Sequence, residues 1–104
     1  KGVISVYFDF DSDVIKKEFR DEITEFFKEY NDAANKILLV GYADIYGTQD
    51  YNENLKSDRV QAVIEMLIND YDINKDVINS QIGEIKVSNV AQQYLNRRVD
   101  IFVY

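Results

Sequence analysis

The sequence predicts an α/β (α+β) two-layer sandwich, with helices packed on a mixed sheet of about four strands in the order β-α-β-α-β-β. Three observations carry this. Strand-like and helix-like hydrophobic periods alternate along the chain; an uncharged run, Ile37 to Val40, lies between two amphipathic segments; and no Pro-rich linker, internal repeat or low-complexity stretch divides the 104 residues.

Val3 to Phe8 is rich in β-branched and aromatic residues and runs into Asp9, Asp11 and Asp13, which reads as a first strand entering a loop. Ile15, Phe19, Ile23, Phe26, Phe27 and Tyr30 recur at spacings of three and four, predicting an amphipathic helix that ends near Asn31. Ser12 or Asp13 is placed to cap it, with Glu18 and Asp21 early in the helix. Ile37 to Val40, closed by Gly41, has the composition of a strand buried on both faces, as in a sheet covered by crossover helices. A polar loop with Gly47 spans Asp44 to Asp50. It leads into a second helix from about Asp50 to Asp70, marked by Val60, Val63, Ile64, Leu67 and Tyr71. Asn74 can cap a single turn at Lys75 to Val77. Ile78 to Ile85 alternates as a third strand, and Val99, Ile101 and Val103 alternate with Asp100, Phe102 and Tyr104 as a fourth.

Composition narrows the function classes. Eight Tyr and six Phe can fill a core in a chain long enough to bury roughly two thirds of its unfolded surface, so folding needs neither disulfide nor metal. The net charge is −7, and basic residues cluster no further than Lys16-Lys17 and Arg97-Arg98, which argues against nucleic acid as a partner. Without Cys or His there is no thiol nucleophile, imidazole base, Ser-His-Asp triad or Cys/His zinc site. The longest aliphatic run is far short of the roughly 20 residues of a membrane-spanning helix, and no signal-peptide pattern opens the chain. Because the chain begins on Lys1-Gly2 and enters a strand pattern at once, residues 1–104 read as a single domain excised from a longer protein. The lack of Cys fits an oxidising or a reducing compartment.

Two constellations could carry chemistry. Asp9, Asp11 and Asp13 invite a calcium loop, but the sixth and twelfth positions counted from Asp9 are Val14 and Arg20, where such a loop needs Gly and a bidentate Glu. The strand followed by Asp9-x-Asp11 resembles the phosphatase motif of the haloacid dehalogenases, in which one carboxylate attacks phosphorus and the other transfers a proton. That superfamily requires a larger fold with a downstream lysine and a magnesium-binding acidic pair. The plain alternative is a solvated, helix-capping acidic turn.

The second constellation is Gly41-Tyr42-Ala43-Asp44, then Gly47, then Tyr51-Asn52, Leu55, Ser57 and Arg59. At about 100° per residue, Asn52 and Leu55 fall within roughly 40° of Arg59, whereas the apolar stripe of the same helix centres about 100° away. Asp44 closes a buried strand, where open α/β sheets place ligands. A carboxylate and a guanidinium facing one cleft suit a zwitterion, since the first takes an ammonium and the second grips a carboxylate. The residue types alone equally allow Asp44 and Arg59 to pair with each other as a structural bridge.

The pattern Gly41-x-x-Asp44-x-x-Gly47-x-x-x-Tyr51-Asn52-x-x-Leu55-x-x-x-Arg59 is preceded by Tyr7-Phe8-Asp9-x-Asp11-Ser12 and followed by Asn96-Arg97-Arg98-Val99-Asp100-Ile101. Over nearly the whole chain it resembles the OmpA-like peptidoglycan-binding domain, with three blocks in the family's order and its interval between Asp44 and Arg59. The resemblance implies non-covalent binding of the peptidoglycan stem peptide, with Asp44 and Arg59 holding the amino acid end of diaminopimelate. It implies lesser contacts from Asp11, Asn52, Leu55 and Arg97, and a structural Arg98. It further implies a binder rather than an enzyme, with no cofactor and no metal. The expected location is the periplasm, in a parent associated with the outer membrane, while this domain itself is not membrane-embedded.

The chain departs from the family at Tyr42-Ala43, where His-Thr is usual, at Leu55-Lys56 and Arg59-Val60, where Leu-Ser and Arg-Ala are usual, and at Gly83-Glu84-Ile85-Lys86-Val87, which lacks the family's Pro. A hydroxyl beside the ligand is lost and Lys56 adds a cation near the rim, so affinity or stem preference is expected to differ. The rival expectation is the same fold serving as a protein-interaction domain, with a decayed wall site and Tyr42, Tyr46 and Tyr51 as anchors.

Overall fold

The computed structural model describes residues 2–30 and 35–104. The elements are β1 (Gly2–Tyr7), α1 (Lys17–Phe26), β2 (Ile37–Gly41), α2 (Gln49–Tyr71), a 3-10 turn at Lys75–Val77, β3 (Ile78–Ile82), a 3-10 segment at Val90–Asn96, and β4 (Arg98–Val103). They form the two-layer α+β sandwich predicted, on a four-stranded mixed sheet of order β1-β4-β2-β3. β4 is antiparallel to both β1 and β2, while β2 and β3 are parallel. β1 and β2 therefore run in one direction, so the loops leaving them and the segment entering β4 all gather at one end of the sheet.

Period-two alternation decides which side chains meet the helices. Val6, Ile37, Leu39, Val99, Ile101 and Val103 join Ile23 and Phe27 near α1 and Val60, Val63, Met66 and Leu67 of α2 in one core. β2 is not covered by helices on both faces as its composition predicted. Val40 faces the other way, with Asp100 beside it in β4, outside that core. There Asp100 is buried with polar partners: Ser5 donates to it at 2.6 Å, and Arg98 and Lys86 stand 3.2 and 3.8 Å away. Strand β3 is an edge strand, exposed at four of its five residues, so its alternation in sequence does not mark a buried face.

Two helix boundaries differ from expectation. Neither Ser12 nor Asp13 caps α1, which starts at Lys17 with Lys16 in the capping position and no side-chain cap. The Ser12 hydroxyl instead accepts from the Val14 amide, and the carbonyls of Asp9 and Ser12 turn toward Arg59, which a helix starting at Ser12 would forbid. At its far end α1 stops at Phe26 and tightens into turns, Lys28 to Glu25 and Tyr30 to Phe27, which let Phe27 meet the rings of Phe26, Tyr30 and Tyr71. The expected end at Asn31 lies outside the described residues.

α2 begins as its sequence allows, with Thr48 accepting from the Tyr51 amide at 3.1 Å, and ends on Asp72 in the left-handed conformation, followed by buried Ile73, whose amide bonds the Leu67 carbonyl. Asn74 caps the 3-10 turn as expected. β3 stops at Ile82 rather than Ile85. One further bond, Gly83 to the Gly41 carbonyl, ends the ladder, and the amides of Lys86 and Val87 are taken by Asn96. Among the described residues, no helix is long and apolar enough to cross a membrane.

Candidate functional site

The gathered end of the sheet holds a pocket of about 170 Å³. Phe10 and Asp11 come from the loop after β1, Asp44, Tyr46 and Gly47 from the loop after β2, and Tyr51, Asn52 and Leu55 from the first turns of α2. Gly47, at φ 96°, makes the turn that brings this loop back over α2, and a side chain there would be both strained and within 3.3 Å of the Tyr51 ring.

Asp44 is 8% exposed. One carboxylate oxygen accepts from the Tyr46 amide at 3.2 Å, and the other lies 3.8 Å from the Arg97 guanidinium. Its backbone carbonyl accepts from the Asn52 side chain at 3.2 Å, so Asn52 both lines the pocket and fixes the turn that carries Asp44. Arg97 is held in turn by donation from Nε to the Phe8 carbonyl.

Arg59 is placed differently. It has no exposed surface and does not line the pocket. Nε donates to the Ser12 carbonyl at 2.9 Å, Nη1 to Tyr42 at 3.1 Å and Nη2 to Asp9 at 3.2 Å, with the guanidinium 5.2 Å from the centre of the Phe8 ring. Asp44 and Arg59 are not joined as a salt bridge. Rather than facing the cleft, Arg59 fastens both ends of the segment 9–12, whose Phe10 and Asp11 form one wall. Burial lowers its pKa from the ordinary arginine value to about 10; the charge of Asp44 opposes this, Arg97 adds to it, and Asp13 and Asp11 oppose it. At neutral pH the guanidinium is charged.

Asp11 lies in the left-handed region at φ 55° and also lines a neighbouring cleft of about 200 Å³ with Asp13, Asn54 and Asp58. The Asp9 side chain is paired with Lys16 at 3.0 Å. Among the described residues, no group of three or more His, Cys, Asp or Glu is arranged to hold a metal ion.

The departures from the family pattern fall away from this pocket. Tyr42 is buried on the opposite side of the sheet, its ring between Lys86 and Arg98, so it is not an anchor for a partner. Ala43 is buried as well. Lys56 is not a rim cation: it is largely buried and donates to Glu53 at 2.8 Å and to the Gly83 carbonyl at 3.1 Å. Arg98 lies in the cluster around Asp100, as a structural residue.

Sequence reasoning missed two amides behind the pocket. Gln93 and Asn96 are both buried. Asn96 accepts from the Lys86 and Val87 amides and donates to the Val87 carbonyl and to Gln93, while Gln93 accepts from the Ile45 amide. They bind the β3–β4 connection to the residue after Asp44. The only signal in the sequence was Asn96 heading the Asn-Arg-Arg block.

Comparison with known proteins decides the family. The model for the OmpA family matches residues 7–99. The chain belongs to the OmpA family. It is similar to outer membrane protein 41 of Porphyromonas gingivalis, 36% identical over 78 residues, which is 72% of this chain and 19% of that protein. It is also similar to outer membrane porin F of Pseudomonas aeruginosa, 29% identical over 106 aligned positions, covering 93% of this chain and 29% of that protein. The chain thus spans less than a third of the length of either relative. Among solved structures, the peptidoglycan-associated lipoprotein from Burkholderia pseudomallei superposes with a TM-score of 0.76 at 25% identity, covering 96% of this chain and 89% of that one. The C-terminal domain of Helicobacter pylori MotB gives 0.78 at 19% identity, covering 99% and 85%, a likeness of fold. Both curated relatives are outer membrane proteins, consistent with a place in the cell envelope for this OmpA-like domain.

Proposed function

We propose that this OmpA-like domain binds peptidoglycan non-covalently through the diaminopimelate of the stem peptide, and so anchors a parent outer-membrane protein to the wall in the periplasm. The observation that carries the reading is the pocket at the sheet end. A nearly buried carboxylate, Asp44, is fixed there by its own turn and by Asn52 and Arg97, and is ready to receive an ammonium. Asp11 adds a second negative charge at the wall, and Leu55 supplies apolar contact. Arg59 and Arg97 put positive charge behind and beside the same site, which favours the carboxylate of a zwitterion. A direct grip by Arg59 requires the segment 9–12 to release at least one of its carbonyls from the guanidinium.

Reversible capture needs preorganised charge and shape, not a reacting group, so the proposed role is that of a binder and not an enzyme. The test is titration of isotope-labelled domain with meso-diaminopimelate, and with lysine as control, followed by backbone amide shifts. Saturable shifts at Asp44, Asn52 and Arg59 with diaminopimelate alone support the reading. Their absence at millimolar ligand overturns it.

A further inference from the structure

Phe10, Tyr46 and Tyr51 are 63%, 48% and 45% exposed, and all three line the pocket that holds Asp44. Single exposed rings are ordinary on a protein surface, but here three are contributed by three different segments to one rim, and such a cluster marks a binding surface. Each backbone is held in place. Phe10 lies between the two carbonyls that Arg59 fastens, the Tyr46 amide donates to Asp44, and the Tyr51 amide donates to Thr48. Neither tyrosine hydroxyl has a hydrogen-bond partner among the described residues.

The pocket itself is small. At about 170 Å³ it is below the roughly 300–1,000 Å³ of sites that enclose a whole ligand, so it takes one residue-sized group and the remainder of a ligand lies across the rim. The pocket shares Asp11, Tyr51 and Leu55 with the neighbouring cleft that Asp13, Asn54 and Asp58 also line, which is rich in hydrogen-bond acceptors. Aromatic faces beside free acceptors match a pyranose. Its C–H face meets the negative face of a ring, and its hydroxyls donate to carboxylates. An apolar protein anchor would leave those carboxylates without partners.

We propose that Phe10, Tyr46 and Tyr51 form a platform for a sugar ring of the glycan strand, next to the pocket that takes the stem peptide. This rests on the stem-peptide reading above. The experiment compares the whole domain binding two probes by calorimetry: a bare diaminopimelate-containing stem peptide, and the same peptide carrying its disaccharide. The expected result is about fivefold to tenfold tighter binding of the disaccharide form. Phe10→Ala, Tyr46→Ala and Tyr51→Ala, whose side chains also line the peptide pocket, should each weaken binding of the disaccharide form by a larger factor than binding of the bare peptide, so that the ratio falls toward one. Equal affinity of the unaltered domain for the two probes would overturn the platform and leave the stem-peptide site standing. Equal loss for both probes in the variants would also overturn it, assigning the rings to the peptide. Binding of neither probe would remove both proposals.

Discussion

The Asp44 carboxylate takes its ion pair from Arg97, 3.8 Å away, while Arg59 is bonded to the carbonyls of Asp9, Ser12 and Tyr42. The two arginines thus divide the work: one pairs with the carboxylate in the pocket, the other holds the wall around it.

Asp44→Asn keeps the shape of the side chain and removes its charge. Binding of diaminopimelate should weaken by about 2 kcal/mol, roughly thirtyfold, because the ligand ammonium is left unpaired. Urea unfolding should shift little, since Asn can still accept from the Tyr46 amide. Affinity unchanged in calorimetry would exclude Asp44 from the site.

Arg59→Met should cost about 3 kcal/mol or more of stability, as three carbonyls in and near the core lose their donor together. Denaturant unfolding measures it. The pH dependence has a defined sign. The folded pKa is lowered to about 10 from the higher value of an unfolded arginine, so below about pH 10 both folded and unfolded chains carry the proton and Arg59 adds no slope. Above it the unfolded chain binds more protons, and the Arg59 contribution to stability rises with pH. The stability difference between the unaltered chain and Arg59→Met should therefore be flat from about pH 6 to 9. A slope in that window would show that another group titrates against the guanidinium.

Asn96→Ala should cost about 2–3 kcal/mol, since it leaves the Lys86 and Val87 amides without their acceptor. Hydrogen exchange should quicken at those two amides, and at Ile45 through Gln93. Asn96→Asp, which keeps an acceptor oxygen, should protect Lys86 and Val87 better than the alanine variant does. Equal exchange in both variants would mean that the acceptor is not what orders this connection.

Gly41→Ala tests the contact between β2 and α2. A Cβ there would meet Val60 Cγ2 at 2.5 Å and the Lys56 carbonyl at 2.9 Å, and backbone cannot yield cheaply. A loss of about 1–3 kcal/mol follows, which lowers the melting temperature by about 5–20 °C for a domain of this size. A melting temperature unchanged within a degree would show that the helix can ride outward without cost.

The elements most readable in the sequence were those whose pattern is also their burial. Val60, Val63 and Leu67 announce the inner face of α2, and Val99, Ile101 and Val103 that of β4. The capping of α1 was misread because Ser12 and Asp13 are good local caps, and only the distant Arg59 makes their segment non-helical. Ile85 alternates well, yet the ladder ends where its partner β2 ends. At the site, the positions of Asp44, Asn52 and Leu55 around one pocket were legible from helical spacing and strand end. The burial of Arg59 was not, because spacing gives direction from a helix axis and not the depth of what lies over it. Gln93 and Asn96 sit in an irregular 3-10 segment, which has no period to mark an inward face.

The sheet order has a mechanical consequence. Gly2 lies opposite Val103 at one end of the β1–β4 ladder, and Tyr7 opposite Arg98 at the other, next to the loops that form the pocket. Tension applied at Gly2 and resisted at the pocket is directed along these strands. It loads the rungs of that ladder in shear, all at once, instead of unzipping them one by one from an end.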